Sequence, residues 1–205
     1  YLSELLEAFL DEVIKERPSA LVLSGDITMN GERMNHEELA ARLKRVQEAG
    51  IQVLVIPGNH DINNHDAAVY YGARKEPAPY IDGPEFHEIY HEYGYDQALS
   101  RDSSSLSYVY ALDDRNWLLM LDSCQYEPDN KVEGRLKDST MAWANEQLAR
   151  AKEEGMFVIP IAHHNLLAQS RMYTTQCAMN NNGEVISLLQ KYELPLFFSG
   201  HQIGR

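Results

Sequence analysis

The chain has 205 residues, of which 44% are hydrophobic, and this is enough to bury the core of one well-packed domain. Its 18 basic and 31 acidic residues give a net charge of −13, which repels a nucleic-acid backbone, so we expect no nucleic-acid partner. No apolar run reaches the roughly 20 residues of a membrane span, and the two cysteines, Cys124 and Cys177, exclude a disulfide framework, leaving two free thiols or a single bridge.

The first part of the chain alternates helical and strand patterns. Apolar residues at helical spacing predict a helix that starts with the chain and ends before Pro18. Residues 20–23 form a short apolar strand pattern. Asn35 is the predicted N-cap of a second helix, which Gly50 ends, and residues 51–56 are a second apolar strand. This order of elements predicts parallel strands in an α/β domain.

The rest of the chain predicts a mixed sheet. We expect a polar loop at 62–83, helices at about 85–93, 141–154 and 183–191, and strands at 106–110, 117–121, 156–162 and 194–198. The strands at 106–110 and 117–121 flank a tight turn, so we expect them to pair antiparallel. No repeat or linker divides the chain, and we predict one domain over residues 1–205.

Four of the predicted strands end in side chains of the types that bind metals. In chain order these are Asp26; Asn59, His60 and Asp61; His163 and His164; and His201. Each group alone fits a polar turn, but ligands in open α/β sheets bind outside the carboxyl ends of the strands. Together, therefore, the four strand ends predict a metal site. Aspartate, asparagine and histidine suit Mn²⁺, Fe²⁺ or Zn²⁺ better than Ca²⁺.

These motifs resemble those of the calcineurin-like metallophosphoesterase family. The resemblance rests on Ser24-Gly25-Asp26, Gly58-Asn59-His60-Asp61, His163 and Gly200-His201, and it extends over nearly the whole chain. Residues 23–28, followed by Asn30-Gly31-Glu32, are more similar to bacterial phosphodiesterase-type members than to protein serine/threonine phosphatases.

The resemblance implies a fold and an activity. The implied fold is an α/β four-layer sandwich of two mixed β-sheets flanked by helices. The implied activity is hydrolysis of a small phosphodiester, with a phosphomonoester less favoured, by in-line attack of a hydroxide held by two divalent metal ions (Mn, Fe or Zn).

The resemblance also implies a role for each strand-end residue. The implied ligands of one ion are Asp26, which would bridge both ions, Asn59, His163 and His201. His60 would donate a proton to the leaving oxygen or stabilise the phosphoryl transition state, and Asp61 would orient His60 by hydrogen bonding.

Two neighbouring histidines compete for the third ligand position. The family usually has a histidine, any residue and a proline here, and Asn165 stands at the proline position. By register we favour His163 as the ligand and expect His164, Asn165 and Arg171 near the substrate.

The ligands of the other ion are mostly missing from the sequence. The family's Asp-x-His motif has no counterpart before Asp26, and Ile203 occupies the position of the second histidine of Gly-His-x-His. We expect that the sequence lacks the first strand and the C-terminal end of the domain. The alternative is a degenerate, non-catalytic domain that binds a metal or a phosphate ligand on the same scaffold.

Overall fold

The computed structural model describes residues 2–168 and 178–201, which form five α-helices and nine β-strands. The helices, α1 to α5 in chain order, span Leu2–Glu16, Arg33–Glu48, Gly83–Tyr90, Asp138–Glu154 and Asn182–Lys191. The strands, β1 to β9, span Ala20–Ser24, Gln52–Ile56, Ala68–Tyr71, Arg74–Pro77, Ser100–Arg101, Tyr108–Ala111, Asn116–Leu121, Phe157–Ala162 and Phe198–Ser199. A kinked helical turn, His91–Tyr95, follows α3.

The strands form two facing sheets and a separate hairpin. In the described residues the smaller sheet is the parallel pair β1 and β2, in which Ser24 lies opposite Ile56. The larger sheet has the order β5-β6-β7-β8-β9 and is mixed: β5, β6 and β7 are antiparallel, whereas β7, β8 and β9 are parallel. The predicted antiparallel pairing of the strands around the tight turn, now β6 and β7, is confirmed.

The central strand β7 is buried on both faces because its side chains alternate between two hydrophobic clusters. Leu118 and Met120 belong to the cluster that lies between the sheets and extends to α1, α2 and α3. Trp117, Leu119 and Leu121 belong to the cluster between the larger sheet and helices α4 and α5. Helices therefore cover both outer faces, which confirms the predicted four-layer α/β sandwich.

Tyrosine side chains of β6 join the two sheets. The hydroxyl of Tyr108 donates to the Val55 carbonyl at 3.0 Å, and the hydroxyl of Tyr110 donates to Oε1 of Gln52 at 2.7 Å. Buried polar groups need such partners, so these bonds favour one relative position of the sheets. In that position the carboxyl ends of β1, β2, β8 and β9 meet at one edge.

The predicted loop at 62–83 contains the hairpin β3–β4. Val69, Tyr70 and Tyr71 are residues that favour strands, and Gly72 turns the chain with a φ of 64°. In the sequence, the charged side chains of β4 hid the strand pattern of the hairpin. The hairpin is exposed at its tip, as expected for a strand pair outside the core.

Two other predicted boundaries are corrected. Helix α2 begins at Arg33 after Glu32, and Asn35 lies inside the helix, where its amide donates to Oε2 of Glu32 at 3.0 Å instead of capping the helix. The last strand is only Phe198–Ser199, and residues 194–197, which were predicted to be part of it, do not pair as a strand. No helix in the described residues has the length and apolar composition needed to cross a bilayer.

Candidate metal centre

The loops after β1 and β2 approach each other closely enough that glycine is required. Gly25 and Asp26 have φ values of 88° and 52°, in the left-handed region. A Cβ atom on Gly58 would lie 2.0 Å from the Asp26 nitrogen and 2.3 Å from its Oδ1. The two loops can therefore place Asp26 and Asn59 side by side only because residue 58 has no side chain.

Asp61 ties these two loops together. Its buried carboxylate accepts hydrogen bonds from the Gly58 nitrogen at 2.7 Å, from the nitrogen and hydroxyl of Thr28 at 2.9 and 2.8 Å, and from the Ile27 nitrogen at 3.3 Å. Burial raises the pKa of Asp61, while His36 and these donors act in the opposite direction. The carboxylate holds backbone groups of both loops.

Of the four residues predicted to bind one ion, Asp26, Asn59 and His201 all approach the imidazole of the fourth, His163. Its Nδ1 donates to the Ser24 carbonyl at 2.9 Å, since a carbonyl only accepts, and this leaves Nε2 facing the strand ends. Nε2 lies 3.3 Å from Oδ2 of Asp26, 3.0 Å from Oδ1 of Asn59 and 2.8 Å from Nδ1 of His201. The structure thus brings together Asp26, Asn59, His163 and His201.

The Asp26 carboxyl is held in its charged form. Burial alone would raise its pKa, but the hydrogen bond and positive charge of His163, together with the backbone N–H of His60, outweigh burial and lower the pKa. The His60 nitrogen donates to Oδ1 of Asp26 at 3.0 Å, and Oδ2 faces His163. Each carboxylate oxygen therefore has a separate environment.

This donor set fits a divalent ion of the transition-metal type. A carboxylate, an amide oxygen and imidazole nitrogens, all groups that can bind a cation, face one another here. Donor atoms that share such an ion at about 2.1 Å lie about 3 Å apart, as these atoms do. Ile203 stands where the family pattern has a histidine ligand of the other ion, and it lies outside the described residues.

Both ring nitrogens of His164 lie within hydrogen-bond distance of other groups of the protein. Its ring is fully buried; Nε2 donates to the Val132 carbonyl at 2.9 Å, and Nδ1 is 2.8 Å from the Ser123 hydroxyl. Both nitrogens have partners within the protein, and the expectation that His164 lies near the substrate stays a prediction. Of the two histidines, only His163 has a ring nitrogen that faces Asp26 and Asn59, although the three rings of His163, His164 and His201 lie together.

The ring of His60 is oriented by a backbone carbonyl. Nδ1 donates to the Met29 carbonyl at 2.7 Å. The prediction that Asp61 orients His60 is wrong, because the Asp61 carboxylate binds Thr28 and the loop nitrogens instead. With Nδ1 carrying a proton, the Nε2 atom of His60 is the one left for chemistry.

A cavity of about 340 Å³ opens beside His60 and Asn59. We call it the asparagine cavity, because five of its ten lining residues are asparagines, with two histidines, two aspartates and a valine. Its described lining contains no lysine or arginine. Most of the lining residues belong to the loop after β2 and to the segment that leads from this loop to the hairpin β3–β4.

Asn165, another predicted substrate residue, lies beside β9. Oδ1 of the buried Asn165 accepts from the Ser199 hydroxyl at 2.5 Å, and its Nδ2 has no hydrogen-bond partner among the described residues. Asn165 lines a mostly apolar cavity of about 430 Å³. Its contact with a substrate stays a prediction. Arg171 lies outside the described residues.

Sequence reasoning missed the support that His36 gives the site. This fully buried residue of α2 lies with Nε2 2.9 Å from the Asp61 carbonyl and Nδ1 2.9 Å from the Tyr90 hydroxyl. The signal was its position three residues before Leu39, on the apolar face of α2. A histidine on such a face is buried and needs polar partners, and here Asp61 supplies one.

Comparisons with known proteins identify the family of the chain. A model of the calcineurin-like phosphoesterase family matches residues 2–204. A glycerophosphodiester phosphodiesterase of Enterobacter lignolyticus is 28% identical over 190 residues, covering 92% of this chain and 57% of the relative. A probable cyclic nucleotide phosphodiesterase of Ruthia magnifica is 23% identical over 200 residues, covering 96% of this chain and 68% of the relative. The chain thus spans a little over half the length of the first relative.

A solved structure supports the fold. The crystal structure of a dimetal phosphatase from Danio rerio superimposes with a TM-score of 0.62 at 15% sequence identity, covering 97% of this chain and 71% of that one. The overall fold described above therefore recurs in a solved protein.

Proposed function

Because the chain belongs to the calcineurin-like phosphoesterase family, we propose that it is a metal-dependent phosphodiesterase that uses two divalent ions. The observation that carries the proposal is the convergence of Asp26, Asn59 and His201 on Nε2 of His163, at 2.8–3.3 Å. We propose Mn²⁺, Fe²⁺ or Zn²⁺ because the donors are oxygen and imidazole nitrogen without thiolate. Asp26 is the residue proposed to contact both ions.

The asparagine cavity supports a diester in preference to a monoester. A phosphomonoester carries close to two negative charges near neutral pH, and a diester carries one. Since two aspartates and no lysine or arginine are found in the described lining, the second charge would meet repulsion rather than a partner. A small phosphodiester is therefore the proposed substrate.

His60 is the proposed proton donor to the leaving alcohol. Divalent ions, when bound, supply Lewis-acid polarisation of the phosphoryl group and activation of water. As water adds to phosphorus and the ester P–O bond breaks, the departing oxygen takes a proton. With Nδ1 of His60 donating to Met29, Nε2 can supply that proton only when the imidazole is doubly protonated.

Asp61 is proposed as a positioning residue rather than a catalytic one. Its carboxylate binds the nitrogens of Thr28 and Gly58, and these hold the loops that carry Asp26 and Asn59. Its contribution to the reaction therefore passes through the placement of the ligands.

The test is hydrolysis of bis-p-nitrophenyl phosphate by the full-length protein with Mn²⁺, compared with p-nitrophenyl phosphate. We expect faster turnover of the diester, and in His60→Ala a loss of about 10²–10⁴-fold with unchanged metal content, because the backbone nitrogen that contacts Asp26 is retained. His91→Ala, an exposed histidine away from the site, is the matched control.

Metal analysis separates this proposal from the non-catalytic alternative. About two ions per chain together with turnover supports the phosphodiesterase. One ion or none, with no turnover in Mn²⁺, Fe²⁺ or Zn²⁺, would contradict it and favour a binding domain.

A further inference from the structure

A second polar cavity, of about 340 Å³, is lined by His87 of α3, Tyr95 of the kinked turn, Arg101 of β5 and residues of the loop 102–107. We call it the serine cavity, because three of its eight lining residues are serines. None of its lining residues is a proposed metal ligand, and none lines the asparagine cavity. It therefore offers a separate place for a small molecule.

Arg101 gives the serine cavity a positive charge that no described carboxylate neutralises. Its side chain is exposed and forms no ion pair with a described residue. Nη1 donates to Nε2 of His87 at 2.5 Å, which holds the guanidinium from one side. Because a guanidinium only donates, this imidazole nitrogen accepts and the ring of His87 is neutral. The remaining N–H groups of Arg101 form a planar fork that matches the two oxygens of a carboxylate.

The hydroxyl of Tyr95 is a buried donor without an acceptor. Tyr95 is only 3% exposed, and its oxygen has no hydrogen-bond partner among the described residues. Burial, followed by the effects of Tyr108 and Asp122, raises the pKa of Tyr95 well above its usual value, so the hydroxyl keeps its proton. A buried hydroxyl without a partner costs free energy, and a ligand oxygen that accepted from it would remove that cost.

Among the described residues that line the serine cavity, Asp102 is the only acidic one, and donors already cover its carboxylate. Oδ1 accepts from the Ser104 nitrogen at 3.0 Å, and Oδ2 accepts from the hydroxyls of Ser105 and Thr140 at 2.6 Å each. Burial would raise the pKa of Asp102, but these bonds outweigh burial and lower the pKa, so the carboxyl is charged. Its charge favours a ligand with one negative charge over a ligand with two.

We propose that the serine cavity binds a small molecule with a single carboxylate group, which pairs with the guanidinium of Arg101 and accepts from the hydroxyl of Tyr95. The observation that carries this inference is that an unneutralised arginine and a buried hydroxyl without a partner line the same cavity. The inference does not depend on the proposed phosphodiesterase activity, because the metal centre shares no residue with this cavity.

The experiment is an NMR titration of the full-length protein, loaded with diamagnetic Zn²⁺, with propionate, propionamide or inorganic phosphate. Propionamide has the shape of propionate without its charge. We expect propionate to shift the amide signals of Ser105 and Leu106 saturably, and propionamide to bind at least about tenfold more weakly. Phosphate, with close to two charges, should also bind more weakly than propionate. The amide signal of His60 reports any propionate at the proposed metal centre instead.

Arg101→Gln tests the charge. Because the side chain is exposed, the variant should fold normally, and its affinity for propionate should fall about tenfold with the loss of the charged fork. Arg115→Gln removes an exposed arginine from the turn between β6 and β7 and is the matched control. It should bind propionate as the wild type does.

Tyr95→Phe tests the hydroxyl and has a second readout in the free protein. Propionate should bind about three- to tenfold more weakly, whereas the variant without ligand should be as stable as the wild type or more stable, because it loses an unpaired group. The contrasting variant is Tyr108→Phe, whose hydroxyl donates to the Val55 carbonyl. Its melting temperature should fall by about 2–4 °C while its affinity for propionate stays unchanged.

Three results would overturn the inference. The first is no saturable shift with propionate, which means that the serine cavity holds only water. The second is propionamide or phosphate binding as tightly as propionate. The third is unchanged affinity for propionate in Arg101→Gln or in Tyr95→Phe. Each leaves the phosphodiesterase proposal standing, since turnover of bis-p-nitrophenyl phosphate is measured separately.

Discussion

The neighbouring imidazoles of His163 and His164 differ in the groups that contact their ring nitrogens. His163 gives one nitrogen to the Ser24 carbonyl and keeps the other for Asp26. His164 gives both nitrogens to Val132 and Ser123. Burial, followed by the charge of His163, lowers the pKa of His164 to about 3, so this ring is neutral in the folded protein.

At this residue scale we predict that His164 makes the metal-free protein sensitive to acid. Between about pH 6.5 and about pH 3 the unfolded chain binds a proton that the folded chain excludes, so the free energy of unfolding falls as the pH falls. From pH 6.5 to 5 this contributes up to about 2 kcal/mol. In His164→Asn that contribution should disappear, as measured by urea unfolding at pH 7.5 and pH 5 with a chelator present.

The control for this measurement is His65→Asn, which removes an exposed histidine. It should keep the wild-type difference between the two pH values. A His164→Asn protein with that same difference would contradict the assignment of a buried, neutral ring.

Among the structural elements, the loops after β1 and β2 act as one unit. Asp61 binds backbone nitrogens of both, and His36 from α2 contacts the Asp61 carbonyl behind them. Gly58 allows the contact with Asp26 that this unit requires. The positions of the proposed metal ligands Asp26 and Asn59 therefore depend on the packing between these loops.

We predict that Gly58→Ala reduces metal affinity and turnover together. The added Cβ would overlap the Asp26 nitrogen and Oδ1, so the loop after β1 must move and carry the carboxylate with it. Metal titration should show at least about tenfold weaker binding, and thermal unfolding should show a cost of about 1–3 kcal/mol.

Gly183→Ala is the matched control. Gly183 is exposed in α5, and a Cβ there meets no atom within 4 Å. Alanine favours the helix, so this variant should be as stable as the wild type or slightly more stable, with unchanged metal binding. Normal metal affinity in Gly58→Ala would show that the loops can separate without loss of the site.

For the whole molecule, the candidate metal centre links the two sheets. Asp26 and Asn59 follow strands of the smaller sheet, whereas His163 and His201 follow strands of the larger one. A ligand that binds only the folded state stabilises it, and here that stabilisation acts across the interface of the sandwich.

We predict that removing the metal lowers the thermal stability of the protein. At a metal concentration 100 times the Kd the stabilisation is about 2.7 kcal/mol. For a domain of this size this corresponds to a melting temperature about 5–10 °C higher. Calorimetry with Mn²⁺ and with a chelator measures the shift, which should vanish in His163→Ala and persist in His91→Ala. A shift that survives in His163→Ala would contradict this ligand set.

Sequence by itself determined the features that depend on local pattern. The apolar strands, the helices between them and the polar residues at the strand ends follow from short-range periodicity and spacing. The segment from Gly58 to Asp61 and the three other strand ends were enough to indicate the family and its layered fold. The aspartate, asparagine and two histidines that converge were all named from their positions at these ends.

Only the tertiary structure decided how those residues are held. The Ser24 carbonyl that directs His163 is 139 residues away in the chain, and the Thr28 groups that hold Asp61 are 33 residues away. Spacing along the chain carries no information about such partners, because hydrogen-bond geometry depends on how the loops pack. For the same reason, the burial of the neutral His164 ring became visible only when the two sheets were in place.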